Sequence, residues 1–169
     1  MTTTTWVFPY DLVTASAAAM RPHGLKGHEG LALWFGRDDG GQVTITHLIV
    51  PYGPGLMTQP LQLKLSLRAM ARITRLTDEL QCYWAGQIHS HPGLLLNLSD
   101  VDMEMGVRVQ DYLSVVCPYY AQRNTVHVDE CGVHLFDEGR YRRLGTDEVA
   151  GSITTSPQAA EVVYLEVSV

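Results

Sequence analysis

Residues 86–102 read GQIHSHPGLLLNLSDVD. The first half has the composition of a strand running to its end. Side chains alternate across a strand, so His89 and His91 point to one side, and Pro92-Gly93 stops the strand just beyond them. Two imidazoles on one face, within reach of one ion, are two of the nitrogen ligands that zinc prefers. Residues 92–98 are long enough for the chain to loop back. Ser99-Asp100-Val101-Asp102 then suits a helix start, which puts a carboxylate in the first turn. The same four residues resemble a capping box with Asp in place of Glu, and Asp near a helix N-terminus is favourable with no metal present. Spacing alone leaves both readings open.

Outward from this stretch the chain alternates strand-like and helix-like segments, with no internal repeat. YWAGQIHSH is the strand that enters it. Asp11–Arg21 reads as a short helix, capped by Asp11 and ended by Pro22 and Gly24. GLKGHEG (24–30) is a glycine-punctuated loop that opens into LALWF, a strand stopped by the GRDDGG turn. VTITHLIVP (43–51) returns as its hairpin partner, with Thr44, Thr46 and Leu48 on one side. PYGPGLMTQP (51–60) is a loop. Apolar residues at 63, 67, 70, 73, 76 and 80 predict an amphipathic helix over Leu61–Leu80. Downstream, a helix is expected over Asp100–Gln110 and a strand over YLSVVCPYY, ended by Pro118. TVHVDECGVHLF reads as two short strands about the DECG turn, and GRYRRL continues the meander. Residues 144–157 read as a connector, and VVYLEVSV as a final strand. The sum is a mixed α/β domain: a mixed, mainly antiparallel sheet flanked by about two or three helices.

A chain of 169 residues suits one domain with a real core. Asp and Glu number 18 against 12 Lys and Arg, for a net charge of -6, and the basic residues are scattered apart from Arg140–Arg143. No nucleic-acid surface is advertised. Cys82, Cys117 and Cys131 are odd in number and show no CxxC spacing, which suits a reducing compartment and buried free thiols. MTTTTWVFPYDL has no basic region followed by an apolar run, and TASAAAM is too short to span a bilayer. The expectation is a cytoplasmic protein that binds neither nucleic acid nor membrane.

His-x-His-Pro, then Ser, then two residues and Asp is more specific than any of its parts. It resembles the signature of the JAMM (JAB/MPN, Mov34-type) zinc metalloproteases. The resemblance runs from about residue 5 to 143. It implies a cytidine-deaminase-like JAB/MPN catalytic domain over 1–143, with 144–169 a connector and C-terminal strand of the same domain. It implies that His89, His91 and Asp102 hold one zinc, leaving a fourth position to water. It implies that Glu29, in the Glu29-Gly30 step before LALWF, is the catalytic carboxylate, and that Ser99 lies beside the reacting water. The implied activity is that of an isopeptidase or peptidase cleaving after the tail of a ubiquitin-like protein. The implied partners are that protein, its conjugates and E1/E2-like conjugation enzymes, in a bacterial antiphage operon. Rivals within the resemblance are a protease that processes a sulfur-carrier protein, a RadC-like protein and a non-catalytic MPN scaffold subunit.

The other candidates have plainer readings. His28 neighbours Glu29 but faces away if that segment is extended. Pairing the strands about DECG sets His127 opposite His134, as a cross-strand polar pair or a second metal site. Asp100 reads as a solvent-facing first-turn residue, and Met103 and Met105 as helix filler. Leu94, Leu95, Leu96 and Leu98 are either core or the lining of a substrate groove.

Overall fold

The computed structural model describes residues 3–169. In chain order the elements are β1 (Thr5–Pro9), α1 (Leu12–Gly24), β2 (Leu31–Asp39), β3 (Gln42–Tyr52), β4 (Leu56–Gln59) and β5 (Gln62–Leu65). They continue as α2 (Leu67–Leu80), β6 (Tyr83–Ser90), α3 (Asp100–Met105), β7 (Leu113–Cys117), β8 (Gly132–Asp137) and β9 (Arg140–Arg143). The last are α4 (Thr146–Ser152), β10 (Ile153–Ser156) and β11 (Glu161–Glu166). The main sheet is mixed, in the order β10-β1-β3-β2-β6-β7-β8-β9, with β11 pairing the second half of β3; β4 and β5 form a separate hairpin.

The β2–β3 hairpin is the frame. Asp39 pairs with Gln42, and the turn between them needs a positive φ at both Gly40 (63°) and Gly41 (94°), which glycine adopts at no steric cost. Strand alternation then divides the apolar residues between two layers. Ala32 and Trp34 join Trp6, Phe8, Leu12, Met20 and Ile88 under α1. Leu31, Leu33 and Phe35 join Ile49 under Ala69, Ile73 and Leu76 of α2, with Leu165 and Val167 closing the same layer. Inside the α1 layer, Trp34 Nε1 donates to Ser16 Oγ (3.0 Å), and Ser16 Oγ donates to Leu12 O, so the buried indole and hydroxyl are both satisfied.

Several local expectations are corrected. A bulge between Phe35 and Gly36 leaves Thr46 without an opposite residue, so alternation slips by one. Leu48 therefore shares a face with Val43 and Ile45, not with Thr44. α1 runs through Pro22 to Gly24, because a proline in the last turn removes only one helical bond. The Asp11 carboxylate does not cap it: Oδ1 accepts from Ala160 N (2.9 Å). Residues 56–65 form a hairpin; Leu61, Leu63 and Leu65 have strand period, and α2 starts only after Ser66, whose Oγ accepts from Ala69 N (3.0 Å). α3 stops at Met105, because Gly106 is extended and packed against the Tyr141 ring. The DECG segment is a single helical turn, Val128–Glu130, so His127 has no strand in which to oppose His134. Residues 144–157 are no bare connector: they hold α4 and β10, the latter parallel to β1.

Candidate metal centre

The β2–β6 register carries the site. Leu31 pairs with His89, so the residues just before β2 lie beside the end of β6. There, Gly30 N donates to Ser90 Oγ (2.8 Å) and Ser90 N donates to Gly30 O (3.1 Å). This two-bond clamp sets Glu29 next to the histidines. Only glycine fits at position 30, since a Cβ would press into the main chain of Met20 in α1. Glu29 N donates to Gln59 O (2.9 Å) at the tip of the β4–β5 hairpin. Beyond β6, His91 N donates to Cys117 O (3.0 Å), and Tyr120 N donates to His91 O (2.8 Å), so the second histidine is held as firmly as a strand residue.

The side chains then converge. His89 Nε2 and His91 Nε2 are 3.0 Å apart, and Asp102 Oδ2 lies 3.4 Å from the first and 3.2 Å from the second. One ligating atom from each falls within 4.8 Å of the others, and among the described residues no other trio of His, Cys, Asp or Glu does this. Glu29 Oε1 is 3.7 Å from His91 Nε2. Relative exposure is 1% for His89, 6% for His91 and 3% for Glu29.

His91 Nδ1 lies 2.7 Å from Leu95 O and donates to it, which leaves the Nε2 lone pair facing the site. A lone pair and a carboxylate oxygen aimed at one buried point are a surplus of acceptors, which a cation satisfies. The residues therefore fit a metal ion, and their N/N/O donor set suits zinc. The charges reflect the crowding. Burial pushes Asp102 up, but His89 and His91, which donate to it when protonated, and the Ser99 N–H hold it well below the carboxylate range. Burial pulls His91 down, and its bond to Asp102 with the Glu29 charge more than reverses that. Glu29 is pushed up to about 7 by burial, against the pull of His91.

Both readings of Ser99-x-x-Asp102 are realised together. Asp102 N donates to Ser99 Oγ (3.1 Å) and Ser99 N donates to Asp102 Oδ2 (2.8 Å), a complete capping box. The box aims the same carboxylate at the histidines. Ser99→Ala is expected to lower stability by about 1 kcal/mol, and Ser99→Thr to restore most of it. Urea unfolding of both variants checks this.

Other candidates sort differently. His28 turns away, with Nδ1 3.3 Å from Thr58 Oγ1. His127 is exposed, whereas His134 is buried with Nδ1 3.2 Å from Ser114 O, and burial pulls its pKa down to about 4. They make no second metal site. Asp100 is exposed. Leu94 and Leu95 are exposed, Leu96 is half-buried and Leu98 is buried, so Leu98 cannot contact a docked partner. Met105 is largely exposed. The Leu95 carbonyl and Ser90 escaped the sequence reading. A main-chain acceptor leaves no mark in a sequence, but Ser90 lies between the two histidines, and strand alternation could have placed it facing α1.

No family model matches the chain. It is 27% identical over 119 residues to a probable metalloprotease of Sinorhizobium fredii, covering 70% of this chain and 74% of that protein. A Desulfitobacterium hafniense protein solved in solution has the same fold, with TM-score 0.59 and 15% identity over 95% of this chain and 93% of the other. A JAB1/MPN domain protein from Archaeoglobus fulgidus aligns at TM-score 0.44 and 14% identity, covering 88% of this chain and 98% of its own. The motif of residues 86–102, its convergence with Glu29 at one buried point and the similarity to a probable metalloprotease agree with one another.

Proposed function

We propose that this chain is a zinc-dependent peptidase or isopeptidase that cleaves after the C-terminal tail of a ubiquitin-like protein. The observation that carries the reading is the meeting of His89, His91 and Asp102 with the Glu29 carboxylate 3.7 Å from His91. The similarity to a probable metalloprotease supports hydrolysis at the coarser level.

A zinc held by the two histidines and Asp102 would supply Lewis acidity to the scissile carbonyl and a water of pKa about 7. Glu29 accepts the proton of the attacking water and returns it to the leaving amine. Its burial suits the second half of that task, because a carboxylate raised to about 7 holds a proton long enough to pass it on. Ser99 Oγ already accepts from Asp102 N, so its hydroxyl hydrogen remains free to donate to the developing oxyanion. Leu95 O keeps the His91 ring in one tautomer throughout.

Burial supports this substrate class. Glu29, His89 and His91 are all set back from the surface, so the reacting bond must be brought in on a thin chain. Glycine has no side chain to meet the ligands, and the exposed Leu94 and Leu95 offer apolar contact to the folded body behind a tail. Cleavage is therefore expected after the last glycine of such a tail, at an isopeptide or a linear bond. Replacing the partner's final two glycines by Val is expected to slow cleavage far more than changing the residue after the bond. The assay is mass spectrometry of products from a ubiquitin-like fusion, with and without chelator. Cleavage that survives the chelator would sink the metal mechanism. Binding of the fusion without any cleavage would make the chain a scaffold.

A further inference from the structure

Tyr119, Tyr120 and Ala121 follow one another with φ of 54°, 52° and 57°. None is glycine, and each left-handed L-residue costs roughly 1–2 kcal/mol. Such a run persists only where its surroundings over-determine it. Here they do. Tyr119 N donates to Gly93 O (2.8 Å), Tyr120 N to His91 O (2.8 Å), and Ala121 is wholly buried. Gln122 Nε2 donates to Gly24 O (2.8 Å), and Gly24 packs so closely on the Tyr120 carbonyl that no Cβ would fit there.

The turn sends the Tyr120 side chain across to the β4–β5 hairpin, where its hydroxyl donates to Pro60 O (2.8 Å). The neighbouring residue is Gln59, whose carbonyl accepts from Glu29 N (2.9 Å). The strands of this hairpin have four residues each and pair only with one another. A two-stranded ribbon of that size is marginal alone. Its base packs on the α2 layer through Leu56, Leu63 and Leu65, while its tip reaches Glu29. The tip is also tied through Thr58 Oγ1, which lies 3.4 Å from His23 Nδ1 in α1 and 3.3 Å from His28 Nδ1, and the Tyr120 bond links it to the turn that holds His91.

We propose that Tyr120 is a positioning residue: bonded through its main chain to His91 and through its hydroxyl to Pro60, it fixes Glu29 relative to the metal ligands. The proposal rests on the peptidase reading for its catalytic consequence, but not for its structural one.

The test is Tyr120→Phe in the full chain, which keeps the ring and removes the bond to Pro60. By hydrogen exchange, the Glu29 amide and those of 56–60 should exchange at least about 10-fold faster, with β2 and β6 amides unchanged. Metal content should stay parental. In the fusion assay kcat should fall about 10- to 100-fold with KM little changed, because misplacing a catalytic group costs rate rather than binding. Unchanged protection of Glu29 would overturn the proposal, as would a loss confined to KM. If the parental protein cleaves no fusion, the peptidase reading fails while the exchange measurement still decides the brace.

Discussion

A His89→Ala protein is expected to take up no stoichiometric metal and to cleave nothing, while keeping its sheet. His89 is 1% exposed, so truncation empties a buried volume and costs on the order of 2 kcal/mol. Part of that is offset, because the variant also removes the His89 Nδ1, which has no hydrogen-bond partner among the described residues. Two ligands cannot replace three in a site already short of donors. Asp102→Asn sharpens the test. An Asn oxygen still accepts from Ser99 N, so the capping box and α3 survive while the ligand charge is lost. Metal affinity should then fall by more than the about 10- to 100-fold that losing a mere supporting residue costs. Elemental analysis after dialysis, with circular dichroism to confirm folding, reads both variants. One metal per chain in the His89→Ala protein would remove His89 from the ligand set.

Glu29→Gln should do the opposite: full metal content with turnover down about 10²–10⁴-fold. The substituted amide is close in shape to the Glu29 carboxylate, and the backbone bond to Gln59 O is kept, so the fold has little reason to change. The pH profile separates a proton carrier from a passive carboxylate. Only ionised Glu29 can accept a proton, so parental turnover should rise with pH as Glu29 ionises. Burial, against the pull of His91, sets that value at about 7, and a cation beside the carboxylate pulls it lower, so the acid limb lies at or below about 7. The Glu29→Gln variant should lack that limb. Parental turnover in this variant would show that Glu29 carries no proton.

The site was more legible than the sheet around it. Period two placed His89 and His91 on one side, and the cap chemistry of Ser99 placed Asp102 in a first turn; both are local rules, and both hold. Local rules also caught the Gly40-Gly41 hairpin and Pro118 after β7. They failed where the outcome is decided by distant contacts. The bulge at Thr46 has no local marker, yet it reverses which face Leu48 takes. Leu63 satisfies a helical period with Met70 and Ile73 as well as a strand period with Leu61 and Leu65, and only the hairpin's packing settles it. β10 is four residues long with only Ile153 buried, and it is a strand because β1 offers an open edge. Glu29 came from resemblance, since a lone Glu-Gly step says nothing of the Ser90 clamp that positions it.

The pairing of β11 with β3 joins segments from opposite ends of the sequence. During synthesis, the histidines, Glu29 and both helices that flank the central strands leave the ribosome long before Leu165 and Val167 do. Until those two arrive, the apolar strip of Leu33, Phe35 and Ile49 has α2 and the β4–β5 hairpin over it but lacks its last cover, and β3 presents a bare parallel edge. Long-range parallel pairing is slow, and an unpaired edge beside exposed apolar surface is where chains stick to one another. The nascent chain thus holds the complete set of reactive side chains before it holds a finished domain, and its yield in cells will depend on how quickly the final strand finds its seat.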